Sequence, residues 1–269
     1  MGKNGYYGAI IGDIVGSVFE ETERAASDFP IFSKRSHFTD DTVLTWATME
    51  LMLKGRIQKN DQRAIAETYR EWAKRFPNAG YGWNFIEWID DPDMGPYASK
   101  GNGAAMRVSP VAYFSSSEKE CLIFAEISAS VTHNSPEGVN SAKAIALMTY
   151  QALQGASKEQ LIKTALSFYP ETVKGYYSFA RHPKFTALAS DTVPEALAAF
   201  IDSDSYEDCI KKAVLLGGDT DTLASMAGSI AGPFYGIDES LVDKALERID
   251  DERALETLSR FSERFGQKQ

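Results

Sequence analysis

Small residues recur every four positions in two distant stretches, Gly8, Gly12 and Gly16 near the start and Ala224, Gly228 and Gly232 toward the end. Four residues is just over one helical turn, so each set lies on a single helix face. Glycine inside a helix costs about 1 kcal/mol relative to alanine, and its repetition on one face needs a packing reason. A bare face lets a second backbone approach closely. The two stretches are therefore expected to lie against each other at the centre of a helical bundle. Membrane helix pairs use the same spacing, but neither stretch approaches membrane-spanning length and both contain polar groups.

The rest of the chain reads the same way. Apolar residues recur at intervals of three and four with little strand-like alternation, which predicts an all-α fold. The absence of a repeat, a low-complexity linker or a composition shift places residues 1–269 in one domain. Helices are predicted over Gly5–Glu20, Asp41–Leu53, Gln62–Arg75, Lys119–Val131, Val139–Leu153, Lys158–Phe168, Thr192–Ile201, Tyr206–Leu215, Thr220–Ala231 and Glu239–Phe265, the last broken near Asp250-Asp251. The aromatic stretch from Phe76 to Gly103, with its prolines and glycines, reads as a long ordered loop. Its aromatics Tyr81, Trp83, Phe85, Trp88 and Tyr97 are assigned to core packing in preference to stacking on a ligand.

Charge narrows the partners. Lys and Arg number 28 against 38 Asp and Glu, a net charge of -10 that disfavours general attraction to nucleic acid or to an anionic membrane. The two cysteines, Cys121 and Cys209, lie far apart without metal-ligand spacing and fit reduced thiols in a cytoplasmic protein. The apolar segment Gly8 to Phe19 is interrupted by Asp13 and does not read as a signal peptide.

Chemistry is concentrated in four short motifs. Thr39-Asp40-Asp41-Thr42 and Asp219-Thr220-Asp221-Thr222 each place two carboxylates between hydroxyls where a helix begins. Adjacent carboxylates repel unless a cation, a cluster of donors or full solvation offsets the repulsion, and all-oxygen ligands of this kind select Mg²⁺, Mn²⁺ or Ca²⁺. Helix N-capping is the competing explanation, since Thr and Asp accept from the unpaired N–H groups of a first turn. Asp13 and Glu20 stand two turns apart on the first predicted helix, and Glu20 would reach Asp219 if the glycine faces pair. Glu20, Glu21 and Glu23 otherwise make a solvated acidic end. The third motif, Ser99-Lys100-Gly101-Asn102-Gly103 running on to Arg107, offers backbone N–H groups to a phosphate. In the fourth, Thr132-His133-Asn134-Ser135, His133 either binds a substrate or caps its neighbours.

As an ordered set the motifs resemble the ADP-ribosylglycohydrolase family, the ADP-ribosyl-acceptor hydrolases that include the dinitrogenase reductase-activating glycohydrolase. The matching residues are Gly12-Asp13-Ile14-Val15-Gly16 with Glu20, Thr39-Asp40-Asp41-Thr42, Gly101-Asn102-Gly103-Ala104-Ala105-Met106-Arg107, Thr132-His133-Asn134 and Gly217-Gly218-Asp219-Thr220-Asp221-Thr222, spread over nearly the whole chain. The resemblance implies an all-α fold with two divalent cations, Mg²⁺ or Mn²⁺, at the base of an ADP-ribose cleft. It carries the metal ligands over to Thr39, Asp40, Asp41, Asp219, Asp221 and Thr222, and the catalytic carboxylates to Glu20, Asp41 and Asp219, with Asp13 in support. Ser99, Lys100, Gly101, Asn102 and Gly103 match the segment that holds the diphosphate and adjoining ribose, although Lys100 stands where some relatives carry an aromatic. His133 matches a residue lining the distal ribose part of the cleft.

The reaction implied is hydrolysis of the N- or O-glycosidic bond between ADP-ribose and an acceptor, releasing ADP-ribose. The expected substrate is an ADP-ribosylated protein or other conjugate, with nucleic acid entering only as a modified substrate, no membrane partner, and a monomeric enzyme. Phosphoester hydrolysis with two metals, or ADP-ribose binding without catalysis, are the alternatives.

Overall fold

Helices dominate the residues that the computed structural model describes, which are 3–20, 25–58, 61–179 and 185–266; among them there is no strand, only an isolated bridge between Gly101 and Leu188. The expected acidic end at Glu21 and Glu23 lies outside the described residues. In chain order the helices are α1 (Gly8–Gly16), α2 (Asp40–Leu53), α3 (Gln62–Arg75), α4 (Trp83–Asp90), α5 (Gly103–Met106), α6 (Pro110–Phe114), α7 (Glu118–Ala129), α8 (Pro136–Leu153), α9 (Lys158–Phe168), α10 (Tyr176–Phe179), α11 (Ala189–Asp202), α12 (Tyr206–Leu215), α13 (Thr220–Tyr235), α14 (Glu239–Leu246) and α15 (Glu252–Phe265).

The two small-residue faces meet at the centre. A Cβ added to Gly8 would stand 2.1 Å from the Gly228 carbonyl oxygen, and one on Gly12 would stand 2.1 Å from that of Ala224. Backbone touches backbone along the whole of α1, every residue of which is buried. Hydroxyls fasten α1 to its neighbours: Thr220 on α13 donates to the Gly16 carbonyl at 2.9 Å, and Tyr206 on α12 donates to that of Gly8 at 2.8 Å.

Several boundaries differ from the sequence reading. The first helix does not run on to Glu20. A 3-10 turn, Gly5–Tyr7, precedes α1, which stops at Gly16, after which the Ser17 hydroxyl donates to the Ile14 carbonyl. Asp13 and Glu20 are thus not joined by one helix, and the two-turn spacing argument does not hold. At the other end α13 continues past Ala231 to Tyr235 with Pro233 inside it; the proline packs against Gly5, which has no side chain to obstruct it. The stretch from Phe76 to Gly103 contains α4, whose buried Phe85, Trp88 and Ile89 follow helical spacing between flanking turns. The expected break near Asp250-Asp251 is present: α14 ends at Leu246, and the Asp251 side chain accepts from the Ala254 N–H to cap α15. Both cysteines are free and buried. Among the described residues no helix is long and apolar enough to cross a membrane.

Candidate active site

The α1–α13 contact sets the position of everything acidic. Asp13, fully buried on α1, accepts from the Thr39 N–H at 2.9 Å, the Thr39 hydroxyl at 2.7 Å and the Thr42 N–H at 3.1 Å, which ties the start of α2 to α1. From α13 the Thr222 hydroxyl donates to Asp41 at 3.1 Å. The two acidic motifs, far apart in sequence, therefore share one floor. Glu20, on the turn after α1, joins them: ligand oxygens of Glu20, Asp219 and Asp221 all lie within 4.8 Å of one another.

Helix capping does not explain the motifs. Thr39 and Asp219 occupy the N-cap positions of α2 and α13, yet neither side chain makes a capping hydrogen bond. Asp221 does accept from the Thr222 N–H at 2.8 Å, a contact within the first turn. Nor does a cation of the chain neutralise the cluster, since among the described residues none of the ion pairs involves Asp40, Asp41, Asp219 or Asp221.

The protonation equilibria register this strain. Burial, followed by the charges of Asp221 and Asp13, pushes Asp40 and Asp41 well above the usual carboxylate range. Asp219 is raised by burial and by Asp221, and Asp13 rises to about 7 through burial and Asp221 despite its hydrogen bonds. One Asp41 oxygen, Oδ1, is buried without any partner. A partnerless buried carboxylate oxygen beside four further carboxylates is a donor set that suits a hard divalent cation.

Above this floor opens a cleft of about 670 Å³, lined by the acidic residues, the Ser99 to Gly103 loop, Arg107 and His133, with Trp83, Phe85, Tyr97, Phe185 and Leu188 among its apolar walls. A volume of that order accommodates a nucleotide-sized ligand. The loop offers fewer donors than its glycines suggest. Its Gly101 N–H is directed to the Ser99 hydroxyl at 3.2 Å and its Asn102 N–H to the Ala187 carbonyl at 2.9 Å. The Asn102 side-chain amide donates down to Asp219 at 2.7 Å and to Thr192 on α11 at 3.2 Å, so it joins the loop to the acidic floor. Lys100 is paired with Glu137 at 3.0 Å. His133 is buried against the loop and, through burial and then the Arg107 charge, is held well below the ordinary histidine range.

The structure thus brings Thr39, Asp40, Asp41, Asp219, Asp221, Thr222, Glu20, Ser99, Lys100, Gly101, Asn102, Gly103 and His133 around one cavity. Core packing describes Tyr81, Phe85 and Trp88, which are buried, whereas Trp83 is 76% exposed at the cleft rim. Sequence reasoning missed Thr192, Phe185 and Leu188, because an unremarkable threonine and two lone apolar residues carry no motif.

A model of the family described as ADP-ribosylglycohydrolase matches residues 3–269. ADP-ribosylhydrolase ARH3 of Mus musculus is 26% identical, covering 86% of this chain and 83% of that protein. ADP-ribosyl-[dinitrogen reductase] glycohydrolase of Rhodospirillum rubrum is 27% identical over 90% of each. ADP-ribosylarginine hydrolase Tri1 of Pseudomonas putida is 26% identical over 87% of this chain and 70% of its own length. A solved structure titled ADP-ribosylglycohydrolase-related protein complex shares the fold with a TM-score of 0.73 at 24% identity, covering 96% of this chain and 95% of that one.

Proposed function

This chain belongs to the ADP-ribosylglycohydrolase family and is an enzyme acting on ADP-ribose conjugates, and on that premise we propose that it hydrolyses the N- or O-glycosidic bond joining ADP-ribose to an acceptor, releasing ADP-ribose intact. The observation that carries the reading is the convergence of Glu20, Asp41, Asp219 and Asp221 on the floor of a nucleotide-sized cleft, with Asp41 Oδ1 buried and partnerless. Residues 1–269 act as one domain.

Thr39, Asp40, Asp41, Asp219, Asp221 and Thr222 would hold two divalent cations, Mg²⁺ or Mn²⁺. When bound, such ions supply positive charge against vicinal hydroxyls and lower the pKa of a water. The chain's own residues do the rest. Ser99, Lys100, Gly101, Asn102, Gly103 and His133 hold the diphosphate and ribose, fixing the anomeric carbon over the carboxylate floor. Asp41 and Asp219 face the positive charge that develops on the ribose as the acceptor leaves. Glu20, at the edge of the floor, transfers a proton to the leaving group or takes one from water. Asn102, bonded to Asp219, keeps the loop and floor in register.

The test is product analysis on a panel of defined ADP-ribosyl linkages to arginine, serine, nucleobase and polymer, with Mg²⁺ or Mn²⁺ added. Intact ADP-ribose from at least one linkage, lost on chelation, is the expected result. Products with a split diphosphate would replace the reading with phosphoester hydrolysis. Turnover undiminished in rigorously metal-free protein would remove the cations from it.

A further inference from the structure

Arg107, Thr132 and His133 form a buried relay beside the cleft. Arg107 is fully buried, with its guanidinium 4.4 Å from the centroid of the Tyr69 ring. Its Nη2 donates to the Thr132 hydroxyl oxygen at 2.8 Å, while Nε and Nη1 have no partner. Among the described residues no carboxylate forms an ion pair with it. Thr132, also fully buried, places the same hydroxyl 2.7 Å from His133 Nδ1.

The direction of that second bond follows from the first. A guanidinium has donors only, so the Thr132 oxygen is the acceptor toward Arg107, and its own proton must go elsewhere. The partner on offer among the described residues is His133 Nδ1. Were Nδ1 protonated instead, two donors would converge on one hydroxyl oxygen and the hydroxyl proton would be stranded in a buried position. The burial of the ring, and after it the fixed guanidinium charge, oppose an imidazolium. On the other edge of the ring, Nε2 makes no hydrogen bond among the described residues and faces the loop, where a Cβ on Gly103 would come within 3.1 Å of it.

We propose that Arg107 and Thr132 are positioning residues that lock His133 as a neutral imidazole with its proton on Nε2, making Nε2–H a standing donor to an oxygen of the bound ligand. Such a donor adds to what the loop offers, since its Gly101 and Asn102 N–H groups are already engaged. The relay's use toward ADP-ribose rests on the function proposed above; the tautomer itself does not.

Ring ¹⁵N NMR of the histidine-labelled chain tests the two separately. The chain has only three histidines, and His133→Gln assigns the signals of interest. The expected wild-type spectrum shows His133 with Nε2 protonated and Nδ1 bare, unchanged between about pH 5 and 8. Thr132→Val keeps the side-chain shape and removes the hydroxyl; it should shift the Nδ1 signal, mix the tautomers and weaken ADP-ribose binding about 3–10-fold. A proton on Nδ1, or an imidazolium at neutral pH, in the wild type overturns the proposal. So does Thr132→Val with the wild-type ring spectrum, or with an altered tautomer and undiminished affinity. Wild-type protein that shows the expected tautomer but does not bind ADP-ribose would overturn the functional reading while leaving the relay standing.

Discussion

Asp40, Asp41, Asp219 and Asp221 share one cleft floor with no lysine or arginine paired to them among the described residues, and Glu20 reaches that floor from the turn after α1. Asp13 holds Thr39 and Thr42 at the start of α2, Thr222 donates to Asp41 and Asn102 to Asp219, while Glu20 enters from the turn after α1, where the proposed function has it move a proton. Glu20→Gln keeps the shape and removes the titratable proton. Steady-state turnover is expected to fall about 10²–10⁴-fold, while calorimetric binding of ADP-ribose stays close to wild type; wild-type turnover would return Glu20 to the role of a solvated acid. At this scale the sequence was legible where chemistry is local. Two adjacent carboxylates repel unless a cation, donors or solvent offsets the repulsion, so Asp40-Asp41 and Asp219-Thr220-Asp221 stood out. The engagement of the Asn102 amide with Asp219 was not legible, because a side chain's partner 117 positions away leaves no mark on its neighbours in the chain.

Between elements, the α1–α13 contact and a polar clamp on α2 govern how the floor is held. Gly12→Ala would drive a methyl into the Ala224 carbonyl, a backbone atom that cannot turn aside. A loss of about 3 kcal/mol in urea unfolding is expected, the upper end for overpacking. Gly95→Ala, where an added Cβ meets nothing within 4 Å, should change stability by less than about 0.5 kcal/mol. At the clamp, Glu50 accepts from Trp72 of α3 at 2.8 Å, from two Arg253 nitrogens of α15 at 2.9 Å each, and from Lys54. Burial alone would raise this carboxyl, but the Arg253, Lys54 and Trp72 donors override it and hold it at about 2. A carboxyl depressed in the folded state contributes stability that is present above its unfolded value, near 4.3, and lost as pH falls toward 2. Wild type should therefore lose about 1–2 kcal/mol to this group over that window, discounted because Lys54 and Arg253 are partly exposed. Glu50→Gln should flatten that part of the pH–stability curve, and an unchanged acid limb would count against the clamp. Long periodic helices such as α3, α9 and α12 were readable to the residue; α4 and the short α5 and α6 were not, since a turn or two between glycines and prolines gives too few repeats for a period.

The whole molecule carries a net charge of -10 and concentrates part of it in one partly buried pocket, so the folded state should gain from any cation that fills the site. Mg²⁺ or Mn²⁺ at about 100 times its dissociation constant is expected to add about 2.7 kcal/mol, a rise in melting temperature of about 5–10 °C that chelator reverses and that KCl of equal ionic strength does not reproduce. In Asp41→Asn the same titration should move the transition far less. Metal-free Asp41→Asn should melt no lower than metal-free wild type, since one repelling charge is gone. The sequence by itself determined the all-α class, the facing of the α1 and α13 stripes and the identity of the acidic groups, because helical period, side-chain volume and like-charge repulsion act over one or two turns. Only the tertiary structure decided that Glu20 reaches Asp219 across the end of α1 instead of along it, and that the Gly101 and Asn102 N–H groups are taken. It also decided that Arg107 lies buried behind His133. Each of those depends on which distant backbone closes the space, a question that short-range forces along the chain leave open until the helices pack.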